Sequence, residues 1–186
     1  MEFQVDCEKI ASPKTIFGRI FIQETFLSYL WYNCYSFLTI VLLRIENALS
    51  PTKSMSLNEL FLFSEAEATW AYGFSLIDKY SDWKLDMPNP EYIKSGYENL
   101  IERTNLAYLS TVNFILAHEF AHQELSHCLA IDSDHLKSIE QEKEADLRAF
   151  EIIMAGEKNG DVNNIKLGAM IGVWCLAMVV ILHNEF

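Results

Sequence analysis

Residues 118–122 read His-Glu-Phe-Ala-His. On a helix, side chains four apart differ by about 40° around the axis, so His118 and His122 leave from one face. Two imidazoles placed in this way fit two adjacent corners of a tetrahedral zinc site. Glu119 lies about 100° round from His118. That is too far for a third ligand but within reach of a water held by the metal, where a carboxylate serves as general base in the HExxH arrangement. Phe114, Ile115, Leu116, Phe120, Ala121 and Leu125 give the pair an apolar surround. Burying two unpaired histidines there is costly, which favours a ligand over the plainer alternative of two satisfied core histidines.

An open catalytic zinc site needs a third protein ligand. A histidine six residues after His122, with glycine three after it, is one solution, but those positions hold Cys128 and Leu125. His127 stands nine residues after His118. It lies about half a turn off the metal face, so it is expected to cap or pack the helix end. The other solution is a carboxylate on a following helix, and Glu142-Lys-Glu144-Ala-Asp146 begins 20 residues after His122. Glu142 and Asp146 share a face. The first is expected to bind the metal, and the second to accept a proton from a ligand imidazole and fix its tautomer. Glu144 ranks second as a ligand. A solvated helix start favoured by the helix dipole is the plainer reading of the same acidic run.

The pattern His118-Glu119-x-x-His122 followed by Glu142-x-x-x-Asp146 resembles the gluzincin metallopeptidases. Within that group, the runs NFILAHEFAHQELSH, EKEAD and DWKLDMPNP are most similar to the phage-exclusion (Lit-type) peptidases of bacteria. The resemblance covers about residues 82–150. It implies a zincin-like fold and a cytoplasmic zinc endopeptidase acting on a protein substrate. In that family the target belongs to the host translation machinery, and its cleavage halts phage growth. Carried over, His118, His122 and Glu142 are the metal ligands, Glu119 the base, and Asp146 the support behind a ligand. The pattern places no oxyanion stabiliser; His127, His135 and several tyrosines are candidates without a spacing argument. Two alternatives differ in kind. One is a non-catalytic regulator that keeps the fold and binds a protein, against which the intact Glu119 argues. The other is a membrane-associated metalloprotease.

The elements that must carry these residues read as helices. A long helical pattern runs from Thr15 to Ala48, with a break expected near Asn33, and Ser50-Pro51 ends it. Ala66, Trp70, Phe74, Ile77 and Tyr80 predict an amphipathic helix over 65–80. Pro88 and Pro90 make 82–90 a loop. The HExxH helix is expected from about 96–99 to His127, with a break near 103–105. Asp132-Ser133-Asp134 forms a turn, and a helix over 137–155 stops at Gly156. A polar loop at 157–164 leads into a last apolar helix. Strand signal is confined to Phe3–Val5 and part of Leu60–Phe63. The fold class is therefore mainly α, a single zincin-like domain over 1–186 with room for a small β-sheet.

Composition supports this reading. The chain has 186 residues, 51% hydrophobic, enough to bury a core without a disulfide or metal to hold it. Its 26 acidic and 14 basic residues leave a net charge of −12, which repels phosphate and argues against a nucleic-acid partner. Cysteines at 7, 34, 128 and 175 form no CxxC pair, and MEFQVDCEKI lacks the basic-then-apolar order of a leader. A reduced, cytoplasmic setting is expected. Thr25–Leu43 carries no charge over 19 residues and Leu167–Leu182 none over 16. The first contains a weak polar stripe. The second is shorter than the ~20 residues of a bilayer helix, and Gly168 and Gly172 permit close helix contact. Both are expected as core helices, with membrane association the less favoured reading.

Overall fold

A computed structural model describes residues 2–4, 12–16, 18–49, 54–84, 86–127, 135–157 and 160–184. Its first elements are strands: β1 (Glu2–Gln4), β2 (Lys14–Ile16) and β3 (Arg19–Gln23). Their order in the sheet is β1-β3-β2, with β1 parallel and β2 antiparallel to β3. Thr15 pairs with Ile20, and Lys14 with Phe21, across a connection in which Gly18 takes φ 74°. A side chain at Gly18 would be strained in that left-handed conformation. The strand expected at Phe3–Val5 is therefore present over Glu2–Gln4, whereas residues 15–23 are not the helix expected there. Thr15, Ile16, Ile20, Phe21 and Ile22 are β-branched or aromatic and suit a pleated surface, and the glycine breaks any helical run.

Among the described residues five helices follow: α1 (Glu24–Leu49), α2 (Leu57–Asp78), α3 (Glu98–Glu124), α4 (His135–Gly156) and α5 (Val162–Asn184). The break expected near Asn33 does not occur. Asn33 Nδ2 donates to the Tyr29 carbonyl at 2.8 Å, and Thr39 Oγ1 to that of Tyr35 at 2.8 Å, so α1 absorbs much of its own polar stripe. Helix α2 starts eight residues before the expected Glu65, because Ser56 and Glu59 form a reciprocal capping box. That cap draws the expected strand at Leu60–Phe63 into the helix. Helix α3 also runs unbroken through 103–105, where the Thr104 hydroxyl donates to the Leu100 carbonyl. The turn expected at 132–134 lies outside the described residues, and the loop over 82–90 is present.

Helix α3 is the axis of the molecule, packed against α1, α4 and α5, while α1 pairs with α2. The core joins Phe26, Tyr29 and Tyr35 of α1, Leu76 of α2, Phe114 and Ile115 of α3, and Ile171, Cys175 and Val179 of α5. Each such side chain contributes about 1.5–3 kcal/mol by leaving water. Where α5 crosses α3, a Cβ on Gly168 would stand 2.5 Å from the Ser110 carbonyl carbon, and one on Gly172 2.9 Å from the Phe114 ring. The two glycines therefore set how closely the helices approach.

The two apolar helices differ. Both α1 and α5 are long and apolar enough to cross a membrane by length and composition, but 67% of the apolar window in α1 is buried against 33% of that in α5. Helix α1 is the expected core helix. Helix α5 buries one side against α3 and leaves Met170, Val173, Val180 and Ile181 exposed on another. Cys34 and Cys175 are buried free thiols; Cys7 and Cys128 lie outside the described residues.

Candidate active site

The last turns of α3 carry His118 and Glu119, both buried, and His122 one turn on. The two rings stand edge to face, with their Nε2 atoms 3.0 Å apart. Helix α4 runs beside them and brings in Glu142. One of its carboxylate oxygens is 3.3 Å from His118 Nε2 and the other 3.7 Å from His122 Nε2. A tetrahedral ion with bonds of about 2.0–2.1 Å separates its ligand atoms by about 3.3 Å, so the three groups have the spacing of a metal-binding triad.

The hydrogen bonds point the same way. His118 Nδ1 lies 2.9 Å from Asp146 Oδ1, and a carboxylate there requires the proton on Nδ1. The His118 Nε2 then offers a lone pair towards His122 Nε2 and Glu142. Converging lone pairs and a carboxylate repel unless a cation or a proton lies between them. In the metal-free protein a proton takes that place. Burial pushes the His118 imidazolium pKa down, but the Asp146 and Glu142 carboxylates outweigh it and raise it to about 9. The facing His118 and His122 imidazoles hold the Glu142 carboxyl well below its ordinary range.

Glu119 lies beside this cluster and is not a member of it. Burial raises its carboxyl pKa, partly offset by His118 and by a hydrogen bond from Thr15. Thr15 Oγ1 is 3.1 Å from Glu119 Oε2 and 3.0 Å from its backbone carbonyl, and Gln123 Nε2 approaches the same hydroxyl at 3.5 Å. Strand β2 thus reaches across to the carboxylate of α3. Nothing in the sequence announces this contact, because Thr15 and Glu119 are 104 residues apart and belong to no common motif.

All five expected site residues line one cleft of about 620 Å³. Its walls are residues 12–15 on one side, Ser138 and Ile139 of α4, and an apolar wall of Val173, Leu176, Ala177, Val180 and Ile181 from α5. Among the described residues β2 is an edge strand of the sheet, so a cleft-lining segment there has backbone groups without a strand partner on one side. Two expectations are corrected. Glu144 is not with the ligand set; its Oε2 lies 3.1 Å from His127 Nε2. His127 does not merely end the helix; its Nδ1 lies 3.1 Å from His122 Nδ1. The estimate of half a turn assumed a continuing helix, whereas α3 stops at Glu124 and Ser126 takes φ 60°, which turns the chain. His135 has no described side chain.

With the fold and this cluster in view, the comparisons define a peptidase. Residues 20–186 match the Peptidase U49 family, and the chain belongs to that family. No curated protein and no solved structure matches the chain. A peptidase acts on protein or peptide substrates.

Proposed function

We propose that the chain is a zinc-dependent endopeptidase of the gluzincin type, with His118, His122 and Glu142 as metal ligands, Glu119 as general base and Asp146 orienting His118. The observation that carries this reading is the convergence of two Nε2 atoms and one carboxylate, 3.0–3.7 Å apart, beside a buried glutamate in a cleft. The residues fit the ion in donor type, spacing and supporting hydrogen bonds. When bound, zinc supplies Lewis-acid polarisation of the scissile carbonyl and lowers the pKa of a water beside it. Glu119 accepts the proton of the attacking water and delivers it to the leaving amine nitrogen as the C–N bond breaks. Its raised pKa suits both halves of that transfer. Strand β2 offers an extended peptide an edge to pair with.

The resemblance and the family together support a role in phage exclusion or host defence, in the cytoplasm, with a component of the bacterial translation machinery as substrate. The test is metal analysis of protein purified without added zinc, followed by identification of new N-termini in a bacterial lysate. Zinc near one ion per chain in the wild type, its loss in His122→Ala, and discrete cleavage products are expected. Equal zinc in both proteins overturns the ligand assignment. A second reading, attachment to a membrane through α5, is favoured by the exposed apolar side of that helix. Recovery of the protein in the membrane fraction, released only by detergent, would select it.

A further inference from the structure

Resting on the metal-centre reading, we propose that His127 and Glu144 form a two-step relay that sets the tautomer and aim of His122, parallel to the single step from Asp146 to His118. The relay begins in the backbone. After the C-cap Leu125, Ser126 adopts a left-handed conformation at φ 60°, which a non-glycine residue takes at a cost of about 1–2 kcal/mol. The turn returns His127 over the end of α3, with its ring 5.2 Å from that of His122 and tilted by 68°. The His127 side chain is 9% exposed, so its polar atoms need protein partners.

The protons follow from the acceptors. Ionised Glu144 only accepts, so His127 Nε2, 3.1 Å away, carries the hydrogen. A neutral His127 then has an accepting Nδ1. His122 Nδ1, 3.1 Å from it, must be the donor. That leaves the lone pair of His122 on Nε2, the atom facing His118 Nε2 and Glu142. For neutral imidazoles each link permits one arrangement, and that arrangement is the one that ligates. Removing the relay takes away the acceptor at His122 Nδ1, and a proton placed instead on Nε2 would face Glu142 in a form that cannot bind a metal. Three carboxylates of α4 thus divide the work: Glu142 faces both Nε2 atoms, Asp146 holds His118, and Glu144 holds His127.

The experiment uses the full chain and zinc itself as probe. The zinc dissociation constant is measured by chelator competition for the wild type, His127→Leu, His127→Asn and Glu144→Leu, together with the visible spectrum of each cobalt(II)-loaded protein. Outer partners of metal-binding histidines are worth about 10–100-fold in affinity, and this neutral relay is expected near the lower figure. His127→Leu should therefore bind zinc about tenfold more weakly and shift the cobalt bands. His127→Asn, whose side-chain oxygen accepts at the Nδ1 position, should recover most of the loss. Glu144→Leu, on the surface, should weaken binding several-fold while leaving the fold intact. A histidine that only packs the helix end predicts neither the spectral shift nor the rescue. Wild-type affinity in both leucine variants overturns the relay, as does an asparagine variant no better than leucine. A wild type that binds no zinc overturns the metal-centre reading itself, and the relay with it.

Discussion

Helix α3 presents two flanks of different character. Towards α5 it packs through Ser110, Phe114 and Ile115 against two glycines, with no room for even a methyl group at Gly168. Towards α4 it makes polar contacts: His118 with Glu142 and Asp146, His122 with Glu142, and a bidentate Arg148–Glu124 pair near its end. The first flank fixes where the helix is, by shape. The second decides what the helix does, by charge and proton placement. A site whose geometry must hold to fractions of an ångström is thus carried by an interface that contributes none of its chemistry.

The largest effect expected on the polar flank is on turnover. Glu119→Gln should keep the metal and the fold and lose proteolysis by about 10²–10⁴-fold, the usual worth of a general base. Peptide cleavage and metal content measured on one preparation check it, and wild-type turnover in that variant would remove Glu119 from the mechanism. On the apolar flank, Gly168→Ala should destabilise the protein by about 1–3 kcal/mol, because the new methyl meets the Ser110 backbone and the helices must part. Chemical denaturation gives the value. An alanine variant as stable as wild type would mean that shape does not fix α3.

A pH dependence separates the flanks further. In the metal-free protein the His118 pKa is raised from 6.5 to about 9. Its stabilising contribution is therefore complete below about 6.5 and is lost as pH rises to about 9. Glu119 works in the same direction, since a carboxyl raised by burial binds its proton more tightly in the folded state, and stability falls as it ionises. The metal-free melting temperature should decline from mildly acid to alkaline pH. Zinc should reverse the trend, because binding displaces the His118 proton and strengthens as pH rises. A stabilisation by zinc that is constant across this range would contradict the proton placement described above. The smallest effect is expected at Arg148. Its pairs with Glu124 and Glu151 are exposed, so Arg148→Ala should lower the melting temperature slightly, with the difference shrinking in about 1 M salt.

Local patterns were legible in the sequence and long-range contacts were not. The spacing of His118, Glu119 and His122, and the pairing of Glu142 with Asp146, placed all five residues in one cleft because each set repeats with the helical period. Helices α3 and α4 were recognisable for the same reason, and α5 as an uncharged apolar run. Three features escaped. The strands at 14–23 read as the front of a helix because their apolar residues are as compatible with one period as with the other over so short a run. Thr15 met Glu119 across 104 residues. His127 was misplaced because a helical wheel holds only while the helix continues, and α3 had ended. The polarity of α5 was half legible: its apolar length predicted burial, but not that one side would form the cleft wall.

That wall has a consequence in time. Proteins emerge from the ribosome N-terminus first, and their elements can begin to fold in that order. The ligand set lies between residues 118 and 142, whereas the apolar wall lies between 173 and 181. A growing chain therefore carries His118, His122 and Glu142 before it has the surface that completes their cleft. The order of residues along the chain thus separates the site from the wall that completes its cleft, and acts as a delay between the two.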